Sequence, residues 1–291
     1  MRIGELSRRL GVSDHVLRAW ERRYGVLRPV RSPGGYRLYS QSDEIRLRRM
    51  QAHLARGMSA AEAARAALSE APDPASQEEG GALSHGLAAA AHALAQSMDD
   101  FDEPRAQAVL DRLLADFTVE TVLREVVMPY LHELGERWAQ GRTTVSGEHF
   151  ASNLLRGRLA SLARGWGDGH GPRAILACAP GEQHDIGLMA FGLVLHRSGW
   201  RVNYIGADTP IRDFAHAVLK SCPDLAVLVA VAHERFHGLT ADLSRLAAAV
   251  PLALAGAGAT QTLARDTGAR LLTGDPVTEA QWMRAPGGYC P

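Results

Sequence analysis

From residue 173 onward, short apolar runs alternate with segments of helical periodicity, and this alternation constrains the fold more than any other feature. Five runs have the length and residue types of β-strands, and each is followed by a segment with apolar residues at helical spacing. The strand-like runs are 173–179, 200–205, 224–232, 251–255 and 269–273, and the helical segments are 186–198, 210–221, 238–249, 259–267 and 276–284. This repeat predicts a parallel, doubly wound sheet with the strand order 2-1-3-4-5.

A histidine motif follows the first of these strands directly. The segment Glu182-Gln183-His184-Asp185-Ile186-Gly187 has the spacing E-x-H-x-x-G. Open α/β sheets bind ligands at the carboxyl ends of their strands, where this loop falls. Neutral imidazole is a good metal ligand when an acceptor holds its other nitrogen, and Glu182 is near enough to do so. In a chain with 12 histidines a chance match is the alternative, and the position after a strand disfavours it.

A second motif lies upstream, and its histidine precedes His184 by 35 residues. Trp138 is followed by nine residues and then by Glu148 and His149. A lone tryptophan at a helix end usually belongs to a core, and a Glu-His pair usually lies on a surface. The combination with the downstream motif favours a binding role instead.

Together the two motifs resemble the cobalamin-binding module of B12-dependent transcription factors. The Trp-x9-Glu-His spacing resembles that of the CarH family of light-sensing repressors. The resemblance implies adenosylcobalamin as cofactor, with His184 as the lower axial ligand of cobalt. It also implies a set of further cofactor-binding residues: Glu182, Asp185 and Gly187 in the lower loop, and Trp138, Glu148 and His149 over the upper face. Gly187 is expected to let the backbone approach the corrin ring closely.

The same resemblance places the nucleotide tail of the cofactor between the ends of the first and third strands. Gly256 and Gly258 would leave room for the tail, although turn glycines are an equally good interpretation. Many corrinoid proteins carry a serine that meets the dimethylbenzimidazole, and this chain has Val229 at that position. We expect the change to remove one hydrogen bond, worth about 1 kcal/mol, without removing the site.

A departure from the family occurs at position 139. In some light-sensing members a histidine follows the motif tryptophan and binds cobalt once the upper ligand leaves, whereas this chain has Ala139. The photoproduct is therefore expected to differ or to be reversible, with water or His149 on the upper face. His132 is expected to be a surface or bundle residue and not a substitute.

The amino-terminal 56 residues are strongly basic. They contain 13 arginines and five acidic residues, a net charge of +8, so the rest of this formally neutral chain sums to −8. A basic head on an acidic body predicts a contact with nucleic acid that is confined to the amino terminus.

The same region has the local signals of a winged helix. Ile3, Leu6 and Leu10 share one helical face, Gly11 ends the helix, and Ser13 can cap a second helix. The second helix carries Val16, Leu17 and Trp20. Gly34-Gly35 permits a tight hairpin between two short strands, which makes a wing.

These segments resemble the MerR-type winged helix over about the first 70 residues. The resemblance implies contacts to DNA, mostly to phosphate, from the second helix and the wing. The candidate residues are His15, Arg18, Arg22, Arg23, Arg31, Tyr36 and Arg37. Asp14 and His15, at the start of the recognition helix, are the candidates for reading bases. Leu17 and Trp20 are expected in the core, and Tyr36 is equally compatible with wing packing.

The remaining segments give the predicted domain organisation. Helices 42–55 and 59–68 follow the wing, 71–81 is expected to be a flexible linker rich in Pro, Gly and acids, and helices 83–97, 104–115, 119–138 and 146–163 form a four-helix bundle. The expected domains are 1–70, the linker 71–81, the bundle 82–166, the cobalamin-binding domain 172–285 and a tail 286–291. No sustained heptad follows the wing, so we expect the oligomer contacts downstream.

Other sequence features restrict the class of protein. Cys178, Cys222 and Cys290 have no metal-binding spacing and form no even set, which favours a reducing cytoplasm over a disulfide framework. The chain shows no signal peptide and no apolar run of membrane-spanning length, so no membrane partner is expected.

We therefore expect a multidomain α and α/β protein with a MerR-type winged helix-turn-helix, a four-helix bundle and a doubly wound parallel sheet. The expected function is that of a light-dependent repressor, not an enzyme, that forms an adenosylcobalamin-bound homotetramer on double-stranded operator DNA in the dark. One alternative is a regulator that senses cobalamin without light. Another is a corrinoid enzyme subunit, disfavoured because no length remains for a substrate domain. A heavy-metal sensor is disfavoured by the lack of paired cysteines.

Overall fold

The computed structural model describes residues 3–10, 12–27, 29–31, 37–69 and 74–283, and its contacts divide the chain into two compact units. The first unit is Met1–Ser84 and the second is His85–Pro291. The elements of the first unit are α1 (Ile3–Leu10), α2 (Asp14–Tyr24), β1 (Val30–Arg31), β2 (Arg37–Leu38), α3 (Gln41–Ala55) and α4 (Ala60–Ser69). Helix α5 (Pro74–Asp99) begins in the first unit and ends in the second.

Local capping explains the bounds of α2. The Ser13 side chain accepts the backbone N–H of Val16 at the start of α2, and Gly25 ends that helix with a φ of 62°. Helices α1 and α2 form where the helix-turn-helix was predicted, and β1 and β2 pair antiparallel, as predicted for the wing strands. The hairpin turn, with Gly34, Gly35 and Tyr36, lies outside the described residues. Leu17 is fully buried and Trp20 packs partly buried against the same core, as predicted.

The second unit begins with a helical bundle. It comprises α5, α6 (Glu103–Asp116), α7 (Val119–Val122), a π-helical turn (Leu123–Val127), α8 (Met128–Ala139) and α9 (Val145–Leu162). Helix α5 starts nine residues earlier than the predicted residue 83, so 74–81 is helical where a flexible linker was expected. Alanine, glutamine and glutamate in this stretch are good helix formers, and a proline is tolerated in the first helical turn.

The π-helical turn interrupts the helix that the sequence predicted over 119–138. Pro129 lies in the first turn of α8, directly after the π segment. A proline inside a helix removes one backbone donor, and its ring clashes with the carbonyl of the residue four positions earlier, here Glu125. Widening the preceding turn to π geometry relieves this clash while the chain stays helical.

The second unit continues with a five-stranded sheet. Its elements are β3 (Arg173–Cys178), α10 (Ile186–Arg197), β4 (Arg201–Gly206), α11 (Ile211–Ser221), β5 (Leu225–Val229), α12 (Thr240–Ala249), β6 (Leu252–Ala255), α13 (Gln261–Thr267), β7 (Arg270–Leu271) and α14 (Pro276–Trp282). A 3-10 turn (His233–Phe236) follows β5. All pairs are parallel and the order is β4-β3-β5-β6-β7, which confirms the predicted order 2-1-3-4-5.

The sheet separates two apolar cores. Leu176 and Cys178 of β3 point into a core shared with the helical bundle, α10 and α14, whereas Ile175 and Ala177 point into a core with α11 and α12. The predicted bundle and sheet modules therefore pack around one common core. Across the described residues, no helix is long and apolar enough to cross a membrane.

Candidate cofactor site and nucleic-acid interface

His184 lies in the loop between β3 and α10, and Glu182 holds its ring. The Glu182 side chain is buried, whereas the His184 side chain is 75% exposed. Glu182 Oε1 accepts the backbone N–H of His184 at 2.9 Å and lies 2.5 Å from Nδ1 of its ring. When Nδ1 donates its proton to this carboxylate, the lone pair of Nε2 is free for a ligand. The arrangement is that of a histidine prepared to bind a metal.

The second oxygen of Glu182 connects this loop to the next strand. Oε2 accepts the backbone N–H groups of Val231 at 2.7 Å and Ala232 at 3.4 Å, both in the loop that follows β5. Burial by itself would raise the pKa of Glu182, but the bonds from the backbones of His184 and Val231 and from the His184 ring hold that pKa below its ordinary value. The residue is therefore a charged acceptor at the carboxyl edge of the sheet.

Asp185 is a second buried carboxylate in the loop. Its Oδ1 accepts from Nε of Arg156 on α9 at 2.9 Å, and its Oδ2 accepts from the hydroxyl of Tyr204 on β4 at 2.8 Å. Burial, and then the charge of Asp185, raise the pKa of Tyr204, which keeps the hydroxyl a donor. The same two causes, with Glu182, raise the pKa of the Cys178 thiol to about 12. Arg156 and Tyr204 were not predicted as site residues, and no local signal in the sequence marks them.

The residues of the upstream motif lie at one end of the bundle. Trp138 is in the last turn of α8 and is 57% exposed, and Glu148 and His149 are in the first turn and a half of α9. Ser152 donates its hydroxyl to Glu148 Oε1 at 2.6 Å, and His149 Nε2 lies 3.6 Å from Glu148 Oε2. The His149 side chain is 68% exposed. The sequence did not predict that Phe101 and Val145, both at this end, are exposed as well.

His132 is confirmed as a surface residue. Its side chain is 81% exposed, and its Nε2 lies 3.4 Å from Glu136 Oε1 on the same helix. Ala139 is the exposed last residue of α8.

Gly256 and Gly258 lie where two loops of the sheet approach each other closely. A Cβ at Gly256, which has a φ of +85°, would lie 2.3 Å from the carbonyl oxygen of Ala230, and a Cβ at Gly258 would lie 2.5 Å from that of Ala232. Both glycines thus allow the loops after β5 and β6 to approach closely, so the turn-glycine interpretation explains them without a ligand.

Two further predicted residues lie near these loops. A Cβ at Gly187 would meet Met128 and Pro276 at 3.8 Å, an ordinary contact, so the protein itself does not require glycine there, and a role toward the corrin stays a prediction. Val229 ends β5 and is partly buried, beside Gly256.

The donor set fits cobalamin better than a bare metal ion. No group of three or more His, Cys, Asp or Glu side chains that could hold a metal ion occurs in the part of the chain that the structure describes. A single imidazole positioned by a carboxylate suits a metal whose other ligands arrive with it in a macrocycle. His184 would hold such a group through Nε2.

The recognition helix of the first unit presents a cationic surface. His15, Arg18, Arg22 and Arg23 are all exposed on α2, whereas Asp14 is partly buried. Tyr36 and the side chain of Arg31 lie outside the described residues. All four residues of α2 that were predicted to contact DNA are therefore exposed.

Glu21, which the sequence analysis did not single out, connects this helix to the wing. It accepts from Nε of Arg37 at 2.9 Å and from the hydroxyl of Tyr39 at 2.7 Å. Burial, and then the hydrogen bond to Glu21, raise the pKa of Tyr39. Arg37 thus has a structural contact that orients the wing, in addition to the predicted contact with phosphate.

Comparison with known proteins gives matches to both halves of this description. Residues 1–70 match the family model of the MerR HTH family regulatory proteins, and residues 90–163 match that of the B12 binding domain. The chain is 36% identical over 248 residues to the HTH-type transcriptional repressor CarH of Myxococcus xanthus, covering 84% of this chain and 83% of that protein.

Two further matches extend the comparison. The chain is 35% identical over 269 residues to the HTH-type transcriptional repressor CarA of Myxococcus xanthus, covering 90% of this chain and 88% of that protein. Among solved structures, the monomethylamine corrinoid protein of Methanosarcina barkeri aligns with a TM-score of 0.54 at 16% identity, covering 65% of this chain and 93% of that one. At this identity the structural likeness concerns the fold alone.

Proposed function

The chain belongs to the CarH-like, cobalamin-binding regulators of the MerR family, and from that premise we propose that it is a repressor that uses adenosylcobalamin to sense light. The observation that carries the proposal is the exposed His184 ring, held by a buried Glu182 at the carboxyl edge of a parallel sheet. A DNA-binding head and a cofactor module in one chain are the two parts that such a regulator needs.

The residues of the second unit have distinct roles in this proposal. His184 would hold the cobalt through Nε2, and Glu182 would keep the ring in the tautomer that can do so. Trp138 would supply an apolar wall for the adenosyl group, and Glu148 would accept hydrogen bonds from its ribose hydroxyls or adenine amine. When bound, adenosylcobalamin supplies a cobalt–carbon bond that light breaks.

Loss of the upper group removes the contacts that Trp138 and Glu148 make with it. A ligand shifts an equilibrium between states only by its difference in affinity for them. We therefore propose that the adenosylated form favours a DNA-bound oligomer, a tetramer by family analogy, and that the illuminated form dissociates. With alanine at position 139, water or the exposed His149 is the candidate ligand on the upper face after illumination.

The head binds operator DNA through α2 and the wing. Arg18, Arg22 and Arg23 contribute exposed positive charge on one helix, and Arg37 is held by Glu21 at the base of the wing. Contacts of this kind go mostly to phosphate and make binding dependent on salt.

The decisive experiment mixes the full chain with adenosylcobalamin in darkness and records its absorption spectrum, its size by light scattering and its affinity for operator DNA, before and after green light. We expect a histidine-ligated spectrum and an oligomer in the dark, and a changed spectrum, a smaller particle and weaker DNA binding after light. His184→Ala serves as the comparison and should lose the histidine signature while staying folded. An identical spectrum and affinity for this variant would refute the ligand assignment.

A second function is favoured by Ala139, which removes one route to a stable photoproduct. In that case the chain senses the level of cobalamin or methylcobalamin without light. DNA binding that depends on cobalamin but is unchanged by illumination would select this alternative.

A further inference from the structure

Asp185 occupies the N-cap position of α10, but its side chain makes no capping hydrogen bond. Aspartate is a preferred residue at a helix N-cap because its carboxylate accepts backbone N–H groups of the first turn. Here the side chain makes no such bond, and both oxygens are directed to Arg156 and Tyr204 instead. A buried carboxylate requires compensation by hydrogen bonds or an opposite charge, and Arg156 supplies both. The Asp185 carboxylate therefore contacts the helical bundle instead of capping α10.

Arg156 lies on nearly the same face of α9 as His149 of the upper motif. Arg156 follows His149 by seven residues, which is two turns of α9, so the two side chains lie on nearly the same face. At the other end of the contact, Asp185 is the residue directly after His184. One ion pair of 2.9 Å therefore connects the helix of the upper motif to the loop of the lower histidine.

The apolar contacts between α9 and α10 do not fix the position of α9 relative to the loop of His184. Helix α9 packs on α10, and the buried leucines of α9, Leu154, Leu155 and Leu159, belong to the shared apolar core. Apolar packing is non-directional and stabilises several neighbouring registers of two helices, whereas a hydrogen-bonded ion pair stabilises one.

We propose that the Arg156–Asp185 ion pair couples the upper motif on α9 to the lower loop, so that Arg156 is a positioning residue for both faces of the cofactor. The inference rests on the proposed function and adds to it the contact through which a change on one face reaches the other.

A matched control exists in the same unit. Arg197 on α10 donates to Glu120 on α7 at 2.7 Å, so this ion pair also connects the bundle to the sheet domain. It involves neither α9 nor the loop after β3. A variant of Arg197 therefore removes a comparable ion pair without removing the proposed coupling.

The first test uses hydrogen exchange in the full chain without cofactor, comparing Arg156→Met with Arg197→Met. We expect Arg156→Met to speed amide exchange in residues 145–152 and 181–186 together, and Arg197→Met to change neither segment. A change in only one of these segments, or an equal effect of Arg197→Met, overturns the proposal. Should Arg156→Met fail to fold, Arg156→Lys keeps the charge without the planar group, and the same pair of segments should exchange faster to a smaller degree.

The second test compares the dissociation constants of adenosylcobalamin and methylcobalamin for the same variants in darkness. Displacement of α9 should weaken adenosylcobalamin about tenfold more than methylcobalamin, which is the loss expected from one hydrogen bond to the Glu148 carboxylate. In the proposed function only the adenosyl group contacts Glu148. Equal weakening of the two would reduce Arg156 to a structural role and refute the proposal. If the unaltered protein binds neither cobalamin, the proposed function fails, while the exchange experiment still decides the coupling.

Discussion

Substitution of Glu182 by glutamine tests the lower loop with almost no change of shape. The carboxylate accepts two N–H groups of His184 through one oxygen and two backbone N–H groups of the β5 loop through the other. An amide has one oxygen and one NH2 group, so one of these two sets of donors must face another donor. If the NH2 group faces His184, it also favours the tautomer with a proton on Nε2, which cannot bind cobalt.

The expected loss of stability in Glu182→Gln follows from the hydrogen bonds that the substitution removes. A hydrogen bond to a charged group contributes about 1.5–3 kcal/mol, and a buried N–H without a partner costs a comparable amount. For a unit of this size, a loss of about 2 kcal/mol lowers the melting temperature by about 4–8 °C. Removing the carboxylate partner of a metal-binding histidine weakens metal affinity by about 10–100-fold. We expect the same range for cobalamin.

The assay is an absorption titration of Glu182→Gln with adenosylcobalamin in darkness, together with thermal unfolding of the protein without cofactor. Glu279→Gln is the matched control, because Glu279 is also buried and accepts the backbone N–H groups of Thr273 at 3.2 Å and Gly274 at 2.8 Å. Both N–H groups donate to one oxygen of Glu279, so the carbonyl of glutamine can keep both bonds. Glu279→Gln should therefore lower the melting temperature less than Glu182→Gln and leave the cobalamin affinity unchanged. An affinity of Glu182→Gln within about twofold of the unaltered protein, against the expected 10–100-fold loss, would refute the reasoning.

Three further predictions concern the head, the upper face and pH. Arg18→Ala should weaken binding to all DNA sequences and reduce the slope of log affinity against log salt by about 1, as measured by fluorescence anisotropy; an unchanged slope contradicts a phosphate contact. Ala139→His should shift the illuminated absorption spectrum toward histidine on both faces, and His149→Ala should alter that spectrum more than His132→Ala; the reverse order would place the upper face elsewhere. Because the folded pKa of Glu182 lies below its ordinary 4.5, its stabilisation is present above that pH and is lost as pH falls through the folded value. The difference in melting temperature between the unaltered protein and Glu182→Gln should therefore shrink in acid, and a constant difference would contradict the shift.

Much of the fold could be predicted because its signals are local. The alternation of strand and helix periods from residue 173 predicted all five strands and their order, since parallel strands with intervening helices have few permitted arrangements. Ser13 caps α2 as expected, because an N-cap needs only the three residues that follow it. The boundaries were less accurate at α5, where a region rich in glycine and acids was interpreted as a linker although it is helical.

In the candidate site, too, contacts between residues close in sequence could be predicted, and contacts between distant residues could not. Glu182 and His184 are two residues apart, so covalent geometry keeps the carboxylate within reach of the ring, and the spacing alone predicted their pairing. Arg156 and Asp185 are separated by 29 residues, and Glu21 and Arg37 by 16. No periodicity or capping rule connects such residues. The packing of helices on the sheet, and of the wing on its helix, brings them together, because burial of apolar surface decides which distant side chains become neighbours.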